Sequence, residues 1–502
     1  MIIPSKKAFA DLLGNNGIPP LHEEIPYLSP CVIYEAFASP DSFLLESVKG
    51  PEKIARYSFL GVDPCMRFRT KNTLVEIEFS GEKKIMSLHK PLNVLRSLIG
   101  RYKQMPFQYL PPFQGGIVGM FSYDFVQYLE RLPQNTIDDL GLPDADFLLF
   151  HKIIAFDHAE KRCWIIACPG VEDSLSDENT NGPSDWSKQY DEAEEVLNEM
   201  RRKILRFISQ RNDGSQESAI PELGRKGIIE IASGIKKKVY MEMVMRAKEY
   251  IAAGDIFQAN LSQRVSAYIK DKDPWDLYKS LRAINPSPFA VYIDFGDYQI
   301  VSSSPERLLR VRNGIIETRP IAGTRPRGRD RKEDERMRLE LLLNEKERAE
   351  HIMMIDLERN DLGRVSAYGT LSVDELMITE DYSHVIHIVS NVTGNLAKGK
   401  DCFDAIKAVF PGGTITGVPK VRCMEIIDEL EPVKRGPYTG SIGYIGFCGN
   451  LDLNIIIRTF VIKNKIAYVQ AGAGIVADSE PEREYFETLK KAEALIKTLG
   501  TV

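Results

Sequence analysis

The segment Ala471-Gly-Ala-Gly-Ile-Val-Ala-Asp-Ser-Glu-Pro-Glu-Arg-Glu-Tyr-Phe-Glu-Thr-Leu-Lys-Lys491 gathers side chains that can do chemistry. Glu484, Glu487 and Lys491 recur at i, i+3 and i+7, which puts two carboxylates and an ammonium on one face of a helix. A strand-like run, Lys465 to Val469, leads into this helix through a small-residue turn, and Ser479 with Glu482 three residues on reads as a capping box that starts it. Tyr485, Leu489, Ala492 and Ile496 form an apolar stripe on a neighbouring face. Backbone N–H groups exposed in the glycine turn can hold an anion. The set suits a carboxylated substrate bound through a divalent metal.

Glu347 and Glu350 repeat the i, i+3 spacing on a second helix pattern. Alone, such a pair is a solvated charged face. Joined to Glu484 and Glu487 it would complete an oxygen-rich shell for Mg²⁺, which takes few carboxylates and keeps several waters. Whether the two helices meet is a matter of tertiary packing. Arg458, inside the apolar run Asn454 to Ile462, is costly to bury without an anion, and a structural ion pair and a substrate carboxylate are both open. His384 and His387 lie in a β-branched run read as a strand, where a three-residue offset sends them to opposite faces, so they do not chelate one metal.

Two glycine motifs exclude functions. Gly472-Ala-Gly474-Ile-Val-Ala477 matches the loose dinucleotide fingerprint, but its helix starts too late and no second strand ending in an acid follows about 20 residues on. Gly412-Gly-Thr-Ile-Thr-Gly417-Val-Pro-Lys420 imitates a phosphate loop, yet Lys420 stands three residues past Gly417 and Pro419 falls where the Lys-Ser/Thr pair should be. What remains is a turn that could bring Thr414 and backbone N–H groups to a small anion.

The elements that must position these residues belong to a chain of 502 residues, 43% hydrophobic and 27% charged, enough for two domains or one large two-layer domain. A net charge of -6 and no basic stripe argue against nucleic acid. No long apolar segment opens the chain and the run near Ile455 is broken by Asp452, Asn454 and Arg458, so neither secretion nor a membrane span is expected. Seven cysteines without a CxxC pair fit reduced thiols in a cytoplasm and offer no zinc motif. From Cys31 to Cys168 the chain reads as short strands; Val171 to Asp185 reads as a surface loop, 186–211 as a helix, and 211–221 as a polar break. The division falls near 212–230, giving parts 1–225 and 226–502. Beyond it, helices at about 235–253, 274–284, 330–355, 401–409, 418–430 and 480–499 alternate with strands at 289–295, 298–303, 383–393, 441–447 and 453–462. Strands in adjacent pairs predict an α+β fold with mostly antiparallel sheets.

These residues sit in an ordered series: Phe43-Leu-Leu-Glu-Ser47, Gly254-Asp-Ile-Phe-Gln258, Ser303-Ser-Pro-Glu-Arg307, Arg319-Pro-Ile-Ala-Gly-Thr324, Asp356-Leu-Glu-Arg-Asn-Asp-Leu-Gly363, Pro411-Gly-Gly-Thr414 and the C-terminal block. Together they resemble the chorismate-utilising enzymes, above all the large subunits of anthranilate synthase and aminodeoxychorismate synthase. The resemblance spans nearly the whole chain and implies two facing antiparallel sheets flanked by helices, with the active site in the C-terminal part. It implies Mg²⁺ on Glu350 and Glu487, with Glu347 and Glu484 nearby and partly reached through water. Glu306 is similar to the family's general acid, a role that needs a pKa raised by desolvation and neighbouring carboxylates. Tyr438 and Arg458 would hold the enolpyruvyl carboxylate; Gly472, Ala473 and Gly474 with Lys491 would support the ring carboxylate; His387 and Thr414 would serve the later elimination.

Gln258 stands where isochorismate and salicylate synthases carry a water-activating lysine, so ammonia is the implied nucleophile, delivered by a separate glutamine amidotransferase subunit. Ala322 stands where many aminodeoxychorismate synthases carry a lysine, which favours direct amination at C2 and hence anthranilate and pyruvate as products. Asn260, Phe289-Ala290 and Pro411 to Gly417 resemble aminodeoxychorismate synthases instead, which keeps 4-amino-4-deoxychorismate as the alternative product. Leu45, Glu46 and Ser47 with Pro288 and Phe289 resemble a tryptophan feedback site, against the plainer reading of a strand turning into a loop. A silent tryptophan-sensing subunit would keep the fold and lose the acids, but Glu306, Glu350, Glu484, Glu487 and Lys491 are all present.

Overall fold

Alternating apolar runs pair into two twelve-stranded sheets in the computed structural model, which describes residues 1–13, 17–176, 185–211, 230–270, 272–382 and 385–501. The first sheet carries Tyr57–Gly61, Ser42–Glu46, Phe289–Asp294, Gln299–Ser304, Thr459–Lys463, Ile466–Ile475 and Gln258–Tyr268 side by side. The second carries Ile321–Pro326, Val385–Asn395, Ile315–Thr318, Arg307–Arg312, Leu451–Ile455, Ser441–Gly446, Gly116–Phe121 and Ala145–Phe150. The ladders between these strands are antiparallel. Phe43, Phe59, Val291 and Val461 of the first sheet meet Val118, Leu148, Phe150 and Ile442 of the second in a shared apolar core. Trp186–Arg211, Pro274–Ile284 and Pro481–Leu499 cover the outer face of the first sheet, and Pro91–Gly100, Glu345–Gly363 and Cys402–Val409 that of the second.

The chain passes from one sheet to the other at short junctions, among them Val62–Cys65, His151, Pro305–Glu306 and Ile456–Arg458. They come in pairs. Ile455 N–H donates to the Glu306 carbonyl at 3.0 Å and Ser303 N–H to the Arg458 carbonyl at 3.1 Å, while Cys65 N–H donates to the Leu149 carbonyl at 2.9 Å next to His151. Two neighbouring antiparallel strands have to change sheets together, because one leaving alone would orphan buried backbone groups.

This topology corrects several sequence expectations. The run Asn454 to Ile462 is two strands in different sheets, and Arg458, with φ of 54°, lies between them rather than inside a strand. Ala471 to Gly474 is not a turn but the end of the strand Ile466–Ile475, paired with Gln258–Tyr268. The last helix starts at Pro481, whose missing N–H suits the first helical position, so no capping box forms. Ser479 instead accepts from Val476 N–H, and Glu482 pairs with Lys237. The buried line of that helix is Glu484, Thr488, Ala492, Leu495 and Leu499, with Tyr485, Leu489 and Ile496 flanking it; Gln263 holds Thr488 inward at 2.6 Å.

The helix expected over 330–355 is two, broken at Asn344, whose side chain accepts from Glu347 N–H to cap the second. Val171–Ser176 is helical rather than loop. The division expected at 212–230 falls on residues outside those described, save its last. Both sheets run through both parts of the chain: Ser42–Glu46 pairs with Phe289–Asp294, and Gly116–Phe121 with Ser441–Gly446.

Asp146 ties the layers together. Fully buried, it accepts from Arg67 at 2.8 Å and Arg69 at 2.9 Å within the second sheet and from Tyr298 Oη of the first at 3.0 Å. Asp146→Asn removes the fully buried counter-ion of Arg67 and Arg69, which keep the more exposed Asp41 and Asp297, and should cost about 3 kcal/mol. A denaturation midpoint equal to that of the parent chain would refute this role.

Candidate active site

The Pro305–Glu306 junction aims the Glu306 carboxyl into the interior, where it is 6% exposed. Thr414 Oγ1 donates to it at 2.8 Å and Ile321 N–H also reaches it. Burial pushes its pKa up to about 8; the Thr414 bond opposes this and the nearby Glu358 carboxylate adds to it. Glu306 therefore holds its proton at neutral pH. Thr414 is delivered by the turn Gly413–Ile415, on which the helix Glu345–Gly363 rests so closely that a Cβ on Gly413 would lie 2.2 Å from Leu357 Cδ2. On that helix Glu358 and Asp361 face inward, and burial together with Asp361 pushes the Glu358 carboxyl upward. Lys420 is the counter-ion of Asp361 and also donates to the Val409 carbonyl at 2.9 Å, so the lysine of the imitation phosphate loop is structural. Glu358 drew no role from the sequence, although it falls in helical phase with buried His351 and Met354.

The paired junction brings in Arg458. No carboxylate pairs with its guanidinium among the described residues; burial lowers its pKa and the nearby Tyr438 opposes this. Tyr438 Oη accepts from Gly472 N–H, while the Gly472 carbonyl accepts from Lys491 Nζ at 3.1 Å, and Lys491 pairs with Glu487 at 2.9 Å. The glycines are required by close approach. A Cβ on Gly472 would lie 2.3 Å from Asn260 Oδ1, and one on Gly474 would lie 2.3 Å from Gln258 Nε2. Ala473, buried on the alternate face, pairs opposite Leu261. Asn260 Oδ1 and Gln258 Oε1 are buried without a hydrogen-bond partner among the described residues, which marks this face as built for a polar ligand.

His387 lines the strand Val385–Asn395; His384 lies outside the described residues. The His387 Nδ1–H donates to the Gly323 carbonyl at 3.0 Å, leaving Nε2 as the acceptor. Burial pushes its pKa down to about 4, against the opposing Gly323 bond, so the ring is neutral. Ala322 sits opposite Ile388 at a bulge beside it. Tyr382 packs its ring on His387 with centroids 5.2 Å apart and donates to Glu380 at 3.2 Å. Arg319 then bridges Glu380 and Glu375, each at 2.5 Å, and Lys53 reaches Glu375 at 2.7 Å.

Lys53 borders a cavity of about 490 Å³ between the sheets, lined also by Leu45, Glu46, Ser47, Pro288 and Phe289. All five residues of the expected regulatory site thus meet at one cavity. The Glu46 carboxylate there is already held by Tyr278 and Arg282, each at 2.7 Å.

The two acid-bearing helices do meet: Lys346 pairs with Asp478 at 2.8 Å, and Glu487 is among the charges felt by Glu350. Burial raises the Glu350 pKa, opposed by Lys346 and reinforced by Glu347, Asp478 and Glu487; burial likewise raises Glu484, opposed by Ser479 and reinforced by Glu487. Glu347 is drawn aside by Arg325 at 2.6 Å. No three of these acids bring oxygens within 4.8 Å of one another. An all-oxygen donor set, mutually repelling and not closed into a cage, fits Mg²⁺, whose remaining positions are filled by water and ligand oxygens.

The family of chorismate binding enzymes matches residues 41–497. The chain is 44% identical over 473 residues to anthranilate synthase component 1 of Acetivibrio thermocellus, covering 94% of this chain and 92% of that protein. It is 43% identical over 457 residues to aminodeoxychorismate synthase component 1 of Bacillus subtilis, covering 91% of each. The crystal structure of anthranilate synthase component I from Streptococcus pneumoniae superposes with a TM-score of 0.74 at 36% identity, over 94% of this chain and 99% of that one.

Because Glu306 binds its proton more tightly when folded, its contribution to stability is complete below the ordinary carboxyl pKa and is lost as pH rises toward about 8. Glu306→Gln removes that loss. The variant's denaturation midpoint, relative to the parent's, should rise between pH 5 and pH 9; parallel profiles would show that Glu306 ionises normally.

Proposed function

Because this chain belongs to the chorismate-binding enzymes, we propose that it aminates chorismate as the large, Mg²⁺-dependent component of an anthranilate synthase, a lyase. The observation that carries this reading is Glu306, a carboxyl that keeps its proton at neutral pH and can donate it to the departing C4 hydroxyl, which leaves as water. Arg458 and Tyr438 hold the enolpyruvyl carboxylate, which supplies the anion the buried guanidinium lacks. Glu350 and Glu487, with Glu347 and Glu484 around them, would hold Mg²⁺, which would supply positive charge to neutralise the ring carboxylate and polarise the ring. Lys491 and the Gly472 to Gly474 backbone orient that carboxylate.

Gln258 is an amide and cannot serve as a base, so the nucleophile is ammonia, which brings its own lone pair. It adds at C2. Elimination then removes the C2 proton and expels pyruvate, with the neutral His387 Nε2 as the acceptor within reach and Thr414 beside Glu306. The relatives are named as components, which supports a separate glutamine amidotransferase subunit as the source of the ammonia. The seven free cysteines suit a reducing cytoplasm, and the described residues contain no helix long and apolar enough to cross a membrane.

Near-equal identity to the two kinds of relative leaves the product to local chemistry. An amine at position 322 would attack the ring itself; Ala322 cannot, so ammonia adds directly. Incubated with chorismate, Mg²⁺ and ammonium, the chain should release anthranilate and pyruvate, and Glu306→Gln should lower turnover by about 10²-fold or more. Accumulation of 4-amino-4-deoxychorismate without pyruvate would instead support the alternative named for the Bacillus relative.

The cavity at Leu45, Glu46, Ser47, Pro288 and Phe289 is assigned to tryptophan as a feedback inhibitor. Its Lys53 is linked through Glu375, Arg319, Glu380 and Tyr382 to His387, so a ligand that moves Lys53 disturbs the catalytic ring. Lys53 also reaches Glu380 directly at 3.4 Å, so Glu380, outside the cavity lining, is the step both routes share. Glu380→Gln should bind tryptophan, yet show about fivefold less inhibition at saturation; inhibition equal to the parent's would break the proposed link.

A further inference from the structure

Of the two paired junctions, one carries Glu306 and Arg458. The other carries Cys65 and His151, and the helix Val171–Ser176 adds Glu172 beside them. We propose that Cys65, His151 and Glu172 bind one zinc ion, with a fourth position open to water or a small ligand.

One ligand atom from each residue lies within 4.8 Å of the other two. A tetrahedral ion with Zn–S of about 2.3 Å and Zn–N and Zn–O of about 2.0–2.2 Å sets its ligand atoms about 3.4–3.6 Å apart; the His151 Nδ1 to Glu172 oxygen separation of 3.6 Å matches, and the sulfur, within 4.8 Å of both, has to close in on the ion. His151 Nδ1 is closed to solvent and has no hydrogen-bond partner among the described residues, and the Glu172 oxygen at 3.6 Å is too far to be one. A buried ring nitrogen left without a partner is costly unless something binds it. Burial keeps the imidazole neutral, as a ligand must be. The Cys65 thiol, pushed up to about 12 by burial and by Glu172, is protonated until a cation displaces its proton: thiol plus Zn²⁺ gives zinc thiolate plus H⁺.

A cleft of about 320 Å³ bordered by Pro64, Cys65, Glu78, Ser80 and Glu172 gives the ion a way in. Sulfur and nitrogen donors select zinc over Mg²⁺, whereas the acids around Glu350 offer oxygen alone, so the two sites take different metals. The ion would fasten two sheet junctions to a helix. Ligands separated by 86 and 21 positions in the chain match no spacing motif, which is why the sequence suggested no zinc.

The full chain, stripped with a chelator and kept in excess Mg²⁺, is titrated with Co²⁺ as a spectroscopic stand-in and then with Zn²⁺. One equivalent of Co²⁺ should produce a near-ultraviolet thiolate charge-transfer band that Zn²⁺ abolishes, and Cys65→Ser should show no band. Glu172→Gln, an exposed change that spares folding, should weaken binding by about tenfold or more. A parent chain without the band, or a band and affinity unchanged in Cys65→Ser and Glu172→Gln, overturns the site.

Discussion

Antiparallel strands in this protein change sheets two at a time, and most of its chemistry follows from that constraint. A junction between packed sheets breaks the ladder where water cannot replace it, so neighbouring junctions must satisfy each other, as Glu306 and Arg458 do through the backbones of Ile455 and Ser303. The side chains at such places point into the interior rather than to either outer face. A carboxyl and a guanidinium are thereby carried on paired junctions without neutralising each other. Glu306 meets the cost of burial by keeping a proton, and Arg458 is left needing an anion.

The carboxylates divide by environment. Glu306 and Glu358 are enclosed, among glycine turns and the outer helix, and are driven toward the neutral form. Glu350 is half-buried and Glu484 sits at the margin of its helix's buried line, and the two feel one another's neighbours across two helices. One set is suited to giving up a proton and the other to sharing a divalent cation, although all are the same functional group. The glycines at 472 and 474 keep the floor between the sets bare, so that Gln258 and Asn260 can lie across it.

The cavity near Ser47 and the site near His387 are separate places that share a connected set of ion pairs. Glu375 and Glu380 stand on the strand Ser372–Asp381, whereas Lys53 and Arg319 come from other parts of the chain, so the geometry of the set depends on how these segments are seated. The structure thus offers a short physical route along which occupancy of one place can be felt at the other.

The amino-acid sequence by itself determined the α+β class, the helices of the C-terminal part, its strands near 289–303, 385–395 and 441–447 but not Gln258–Tyr268 or those between Arg307 and Asp381, the carboxylate pairs at 347/350 and 484/487, and the family to which the residues belong. These are local quantities: helix and strand periodicity, and motifs read residue by residue. Tertiary structure alone decided that the two acid-bearing helices meet, that Arg458 stands between sheets rather than within a strand, that Ala471 to Gly474 is a strand edge, and that Glu358 backs Glu306. It alone placed Cys65 beside His151 and Glu172. The physical reason is common to all of these. Which residues become neighbours is set by strand pairing across hundreds of positions, and neither the period of one element nor the spacing within a motif contains that information.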